Sequence, residues 1–202
     1  MDIIKAHWEN VYTSKGEAEV SWFEQSPDLS LELLAEAAVT HDAAIIDIGG
    51  GASRLVDALV ARNQAHVAVL DLSANALDRA RTRVGEVPVD WIVSDVTAWQ
   101  PTRRYDAWHD RAAFHFLTEL EQQRNYAEVL SNALEHNGVA VIGTFAPDGP
   151  EKCSGLPVAR HDTESLRQIL GPRYSLIAHR RCDHITPWGS IQRFQFSTFR
   201  HH

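Results

Sequence analysis

Residues 44 to 53 read Ala-Ile-Ile-Asp-Ile-Gly-Gly-Gly-Ala-Ser. The apolar run Ala44 to Ile48 has the length of a buried strand, and the three glycines after it mark a tight turn that opens onto a helical pattern. Gly49 and Gly51 lack the Cβ that would keep a ligand off the backbone. Gly50 and Ser53 complete the loop, and a helix starting there would point free N–H groups at whatever sits above it. Asp47 stands just before the glycines, where a carboxylate can hold an amine or brace the loop. A dinucleotide-binding turn, G-x-G-x-x-G, would place its third glycine at position 54, which is Arg54. The pyrophosphate fingerprint is therefore incomplete.

Two further acids follow at equal intervals. The run His66 to Leu70 ends in Asp71-Leu72-Ser73, and Asp71 follows Asp47 by 24 residues. The run Val89 to Val93 ends in Ser94-Asp95-Val96, again 24 residues on. A carboxylate at the end of the second strand of a βαβ unit can accept both ribose hydroxyl protons of a nucleoside. One at the third strand end can take the adenine exocyclic N–H, with Leu72 and Val96 as apolar walls for the ring. A single Asp at a strand end is ordinarily a helix cap. Three at successive strand ends, with a glycine loop at the first, point to a cofactor that contains adenosine.

The pattern Asp-x-Gly-x-Gly with these later acids resembles the S-adenosylmethionine (SAM) site of the class I SAM-dependent methyltransferases. The fourth run, Tyr105-Asp106-Ala107-Trp108-His109-Asp110-Arg111, matches that family's fourth motif in placement. The resemblance implies SAM as cofactor, S-adenosylhomocysteine as product, and cofactor contacts at Asp47, Gly49, Gly50, Gly51, Ser53, Asp71, Leu72, Ser73, Asp95 and Val96.

The rest of the chain reads as alternating β and α units. Ser26-Pro27 opens a first capped helix through Ala38. Strand 44–48, helix 52–62, strand 66–71, a helix from Ser73 to about 84, and strands 89–93 and 105–109 follow. A long helix from 119 to 135 stops at Asn137-Gly138 before strand 139–145. Helix 162–170 precedes strands 174–182 and 191–200, a hairpin around Pro187-Trp188-Gly189. The order predicts an α/β three-layer sandwich, with a seven-strand, mostly parallel sheet and a C-terminal antiparallel hairpin strand. The expected organisation is one domain over 1–202. Residues 1–40 form N-terminal cap and lid helices, 41–145 a cofactor-binding half, and 146–200 a substrate-side half. His201-His202 reads as a tag remnant and is set aside.

At 202 residues one α/β core is affordable. The net charge of −8 argues against a nucleic-acid binder, and no apolar stretch has the length of a membrane span. Two cysteines offer no disulfide framework, so the reducing cytoplasm is the expected compartment. Cys153, His161, Cys182 and His184 match no zinc spacing, so no metal is expected.

Ligands of open α/β sheets bind beyond the C-terminal strand ends. Three segments would build the acceptor pocket there: 7–12 with 20–23, 109–116, and the loop 146–161. Trp8, Tyr12, Trp22 and Phe23 can form a lid over a sulfonium, which aromatic faces attract, or simply cover the sheet edge. His109, Asp110 and His115 stand where a base or orienter is expected; Asp110 and Arg111 can equally pair with each other. Within the superfamily the chain resembles two groups. Protein-lysine methyltransferases carry an Asp-Lys-Gly-Thr-like run where this chain has Asp110-Arg111-Ala112-Ala113. The thiopurine-methyltransferase-like group shares the N-terminal aromatic pattern. The expected acceptor is a small molecule, because there is no basic excess and the lid and loop would enclose the transfer point. A protein-lysine acceptor, or a SAM-binding module without catalysis, are the alternatives.

Overall fold

The computed structural model describes residues 2–202. In chain order it contains α1 (Asp2–Ser14), α2 (Asp28–Glu36), β1 (Ala44–Ile48), α3 (Leu55–Ala61), β2 (His66–Asp71), α4 (Ala74–Val84), β3 (Val89–Val93), β4 (Tyr105–Arg111), α5 (Leu120–Ala133), β5 (Leu134–Phe145), β6 (Lys152–Cys153), β7 (Leu156–Pro157), α6 (Thr163–Leu170), β8 (Tyr174–Ile185) and β9 (Ile191–His201). Seven strands form one sheet in the order β3-β2-β1-β4-β5-β9-β8; β6 and β7 make a separate small hairpin. Strands β1 to β5 pair in parallel, and β9 runs antiparallel between β5 and β8.

Register assigns each strand-end residue to a face. Asp47 lies beside Val69 and His109, while Ile48 lies beside Leu70 and Asp110. Because side chains alternate, Asp47 and His109 share one face and Asp110 takes the other. On the first face Ile45, Val67, Val69 and Ala107 pack with Leu31 and Leu34 of α2, Leu55 and Leu59 of α3, and Leu77 of α4. On the second, Ile46, Ala68, Leu70 and Trp108 pack with Tyr126 and Leu130 of α5 and Leu166 and Leu170 of α6. The three-layer sandwich follows from these two clusters. β1 is buried along its whole length, as a central parallel strand covered on both faces must be.

Boundaries shift where local chemistry intervenes. The helix expected from 52 begins only at Leu55, because Ser53 Oγ accepts the Leu55 N–H at 3.0 Å and ends the glycine turn. The helix expected to reach 135 stops at Ala133, and β5 begins at once with the buried Leu134. A residue with left-handed backbone inside that strand, Asn137 at φ +67°, is the Asn-Gly signal that looked like a helix stop. His201, set aside from the sequence, is the last residue of β9; its ring stacks on Tyr174 at 5.0 Å and Nδ1 is 3.0 Å from the Glu135 carbonyl. Among the described residues no helix is long and apolar enough to cross a membrane.

Candidate active site

The C-terminal ends of β1 to β4 open into a cavity of about 560 Å³, within the usual size range of small-molecule sites. Gly49, Asp71, Leu72, Asp95 and Val96 line one part of it; Trp8, Tyr12, Trp22, Phe116, Cys153 and Leu156 line another. The three expected acceptor segments therefore meet around one space. A smaller cavity of about 40 Å³, lined by Asp47, Gly50, Ser53 and Glu24, shares Trp22, Ile48, Gly49 and Arg111 with the large one.

The glycines serve the protein's own packing more than a ligand's approach. Gly49 has φ +66°, a conformation that costs a side-chain-bearing residue roughly 1–2 kcal/mol. A Cβ on Gly50 would lie 2.3 Å from Asp47 Oδ2, and one on Gly51 would lie 2.7 Å from Asp71 Oδ2 and 2.5 Å from the Ala76 Cβ. Gly51 therefore sits behind Asp71 and does not line the large cavity. The Gly51 and Ser73 backbone N–H groups donate to the two Asp71 oxygens at 3.0 and 2.8 Å. Burial nonetheless raises the Asp71 carboxyl to about 6. Asp95 is held by Thr97, whose N–H and hydroxyl both donate to Oδ1 at 2.8 and 2.7 Å.

Ser73 belongs to helix capping: the Ala76 N–H donates to its Oγ at 3.2 Å. Its hydroxyl in turn donates to Glu9 Oε2 at 2.8 Å, and the Ala74 N–H donates to Glu9 Oε1 at 2.9 Å. Glu9 thus lets α1 cap α4, a role invisible in sequence because 64 residues separate the partners. This fixes the aromatic side of α1 over the cavity. Trp8 meets Trp22 edge-on at 5.6 Å and Phe116 at 4.9 Å.

The three proton-transfer candidates do not reach the large cavity. His109 is 1% exposed, with Nδ1 donating to Asp47 Oδ1 at 2.7 Å and Nε2 hydrogen-bonded to the Ser30 hydroxyl at 2.8 Å. Asp110 accepts from the Ala113 N–H at 2.9 Å and the Tyr126 hydroxyl at 2.8 Å, and burial raises its carboxyl to about 6. His115 is fully buried against Phe116 and Phe145; burial lowers its imidazole to about 3, so the ring is neutral. All three are thus buried, and none is among the residues that line the large cavity, where the sequence led them to be expected.

Arg111 does not pair with Asp110. Its guanidinium bonds Glu24 at 2.8 Å, donates to the Trp22 carbonyl at 2.9 Å, and lies 5.3 Å above the Phe194 ring. His184 Nε2 donates to the Ser21 carbonyl at 2.7 Å. These two residues, from β4 and β8, clamp the segment that carries Trp22. The adjoining Ala112 has φ +71°, a strained conformation of the sort found at functional sites. The polar first turns of α5 add Gln122 and Asn125 to the wall, a contribution the sequence reading missed. Both cysteines are free, and among the described residues no three His, Cys, Asp or Glu side chains gather as a metal ion requires.

Residues 45–138 match the family described as methyltransferase domain. An uncharacterized methyltransferase of Mycobacterium tuberculosis is 31% identical over 102 residues, 50% of this chain and 50% of that protein. Trans-aconitate 2-methyltransferase of Rhizobium etli is 30% identical over 112 residues, 55% of this chain and 42% of that protein. The match thus spans about half the length, or less, of these curated relatives. The N-methyltransferase NodS of Bradyrhizobium japonicum WM9, solved in complex with S-adenosyl-L-homocysteine, superposes with a TM-score of 0.72 at 17% identity, over 95% of this chain and 98% of that one. Residues 45–138 are thus similar to methyltransferase domains, and the chain has the seven-stranded fold that NodS shows.

Proposed function

We propose that the protein is a SAM-dependent methyltransferase acting on a small-molecule acceptor. The observation that carries this reading is the large cavity, with buried or half-buried carboxylates at the ends of β2 and β3 and the glycine turn at the end of β1. In this reading Asp71 accepts the ribose hydroxyls, Asp95 accepts the adenine N–H, and Leu72 and Val96 flank the ring. Asp47 Oδ2 is buried without a hydrogen-bond partner among the described residues and suits the ammonium of the amino-acid end. Gly51 and Ser73 act behind Asp71, and Ser53 acts by ending the loop. When bound, SAM supplies an electrophilic methyl group on a sulfonium. Trp8 and Trp22 offer aromatic faces to that charge and, with Phe116, keep water away from the transfer point.

The acceptor brings its own lone pair. Cys153, at the apolar end of the cavity, has its thiol raised to about 11 by burial, and burial holds the Tyr12 phenol well above its ordinary range. Neither is a base near neutrality, and His109, Asp110 and His115 are sealed away. A thiolate, a carboxylate or an uncharged amine meets this requirement unaided; a neutral alcohol would need one of the carboxylates that line the cavity, such as Glu119 or Glu121, as its base. The Rhizobium relative, named for trans-aconitate, lends the small-molecule class some support. A cavity roofed by Trp8, Trp22 and the 146–161 loop suits an enclosed guest.

Calorimetric titration should show S-adenosylhomocysteine binding and no competing response to NAD. With radiolabelled SAM and a cell lysate divided by size, the label should enter the small-molecule fraction. Label confined to one protein band would replace this reading with protein-lysine methylation. Binding without any label transfer would favour a non-catalytic module.

A further inference from the structure

Ser30, His109 and Asp47 form a line of hydrogen bonds that the roles above do not use. It starts on α2, passes through β4 and ends on β1. The order matches a nucleophilic triad, but Ser30 is 2% exposed and His109 1%, so no substrate reaches the hydroxyl. The line has one open end. Asp47 Oδ1 is engaged by His109, whereas Asp47 Oδ2 has no partner among the described residues and Asp47 lines the 40 Å³ cavity. A buried carboxylate oxygen without a donor is costly, and a cavity of this size admits one small polar group.

We propose that His109 and Ser30 are positioning residues that aim Asp47 at the ammonium of the cofactor's amino-acid end, and so tie helix α2 to cofactor occupancy. The proposal rests on the SAM reading given above. The Asp47 carboxylate, which can only accept, keeps a proton on Nδ1, and the Ser30 hydroxyl, 2.8 Å from Nε2, holds the ring in place from α2. Without Ser30, Nε2 loses its partner on α2 and the ring is no longer anchored, so its hold on the carboxylate slackens. Without the ring, Oδ1 also lacks a donor, and the carboxylate is free to turn from the small cavity. In either case the defect is confined to the amino-acid end. The nucleoside end, at Asp71 and Asp95, lies on other strands and uses other donors.

Two ligands separate that defect from general damage. S-adenosylhomocysteine carries the amino-acid end; 5′-methylthioadenosine has the same nucleoside and thioether without it. Calorimetry on His109→Phe should show S-adenosylhomocysteine weakened tenfold or more and methylthioadenosine changed by less than twofold. Ser30→Ala should show the same split, smaller in size. His109→Asn, which can still donate to Asp47, should restore most of the lost affinity. Equal losses for both ligands, or no loss in folded His109→Phe, overturn the proposal while the SAM reading stands. If His109→Phe fails to fold, Ser30→Ala decides: an unchanged ratio of the two affinities overturns the proposal. Wild-type protein that binds neither ligand overturns the SAM reading, and the proposal with it.

Discussion

Asp71, the last residue of β2, and Asp110, the last but one of β4, lie near the ends of strands that both pair with β1, one on each side of it. Each is buried, each accepts two or more hydrogen bonds, and burial raises each carboxyl to about 6. One lines the large cavity and the other is sealed. The difference comes from what covers each strand end. Beyond Asp71 only backbone N–H groups of two turns close in, and they leave the cavity side open. Asp110 points into the α5 layer, where the Tyr126 hydroxyl donates to it and itself accepts from the Trp108 indole N–H at 2.8 Å. A raised carboxyl is thus no guide to function by itself; what the other lone pairs can reach decides.

Removing each acid in turn tests that contrast. The largest effect is expected from Asp71→Ala on cofactor affinity. Two charge-assisted hydrogen bonds at roughly 1.5–3 kcal/mol each imply at least a hundredfold loss for S-adenosylhomocysteine by calorimetry. Asp110→Ala should instead lower stability. It leaves two backbone donors and a buried phenol without their acceptor, costing about 2–3 kcal/mol in denaturant unfolding, while the folded fraction binds almost normally. A folded Asp110→Ala protein with wild-type stability and a large binding defect would erase the distinction.

A pH series sharpens it. Ligand hydroxyls need the ionised Asp71, so affinity should fall below pH about 6, by up to tenfold per unit. For stability the sign differs between groups. A carboxyl raised in the folded state binds more protons there than when unfolded, so Asp71 and Asp110 make stability decline as pH rises from about 4 to 6. His115, lowered to about 3, binds fewer, so it makes stability decline as pH falls below about 6.5. His115→Phe should flatten that acid limb, in urea midpoints measured between pH 6.5 and 4. The smallest effect belongs to Cys182→Ala. This half-buried thiol lies in β8 and does not line the cavity, so affinity should stay within about twofold.

Much of the fold was legible because its signals are local. Apolar runs ending in Gly or Asp located β1, β2 and β3 to the residue, and the seven strands of the sheet appeared in sequence order. Gly49, Asp71 and Asp95 were placed at the sheet's rim by the same logic, since a strand end followed by a turn must lie there. The sheet's two faces were not legible at those ends. His109 and Asp110 are neighbours in sequence, yet one meets Ser30, 79 residues away, and the other Tyr126 on the opposite layer. Arg111 bonds lid residues 89 positions earlier and approaches His184, 73 positions later. Such pairings follow from which helix packs on which face, and no periodicity records that. Helix ends failed for a smaller reason: one hydrogen bond from the Leu55 N–H to Ser53 Oγ belongs to the turn, and α3 starts three residues later than expected.

The contact between Gly50 and Asp47 carries a consequence for how this loop can change over generations. A methyl group at position 50 would collide with the carboxylate at position 47, not with solvent or a flexible chain end. The two sites are therefore epistatic. Gly50→Ala is harmful while Asp47 stands, and is tolerated only alongside a residue at 47 that vacates the space. Any lineage that first loses the acid is freed to fill the glycine, and having filled it cannot easily recover the acid. The glycine run thus acts as a one-way latch on the residue that precedes it.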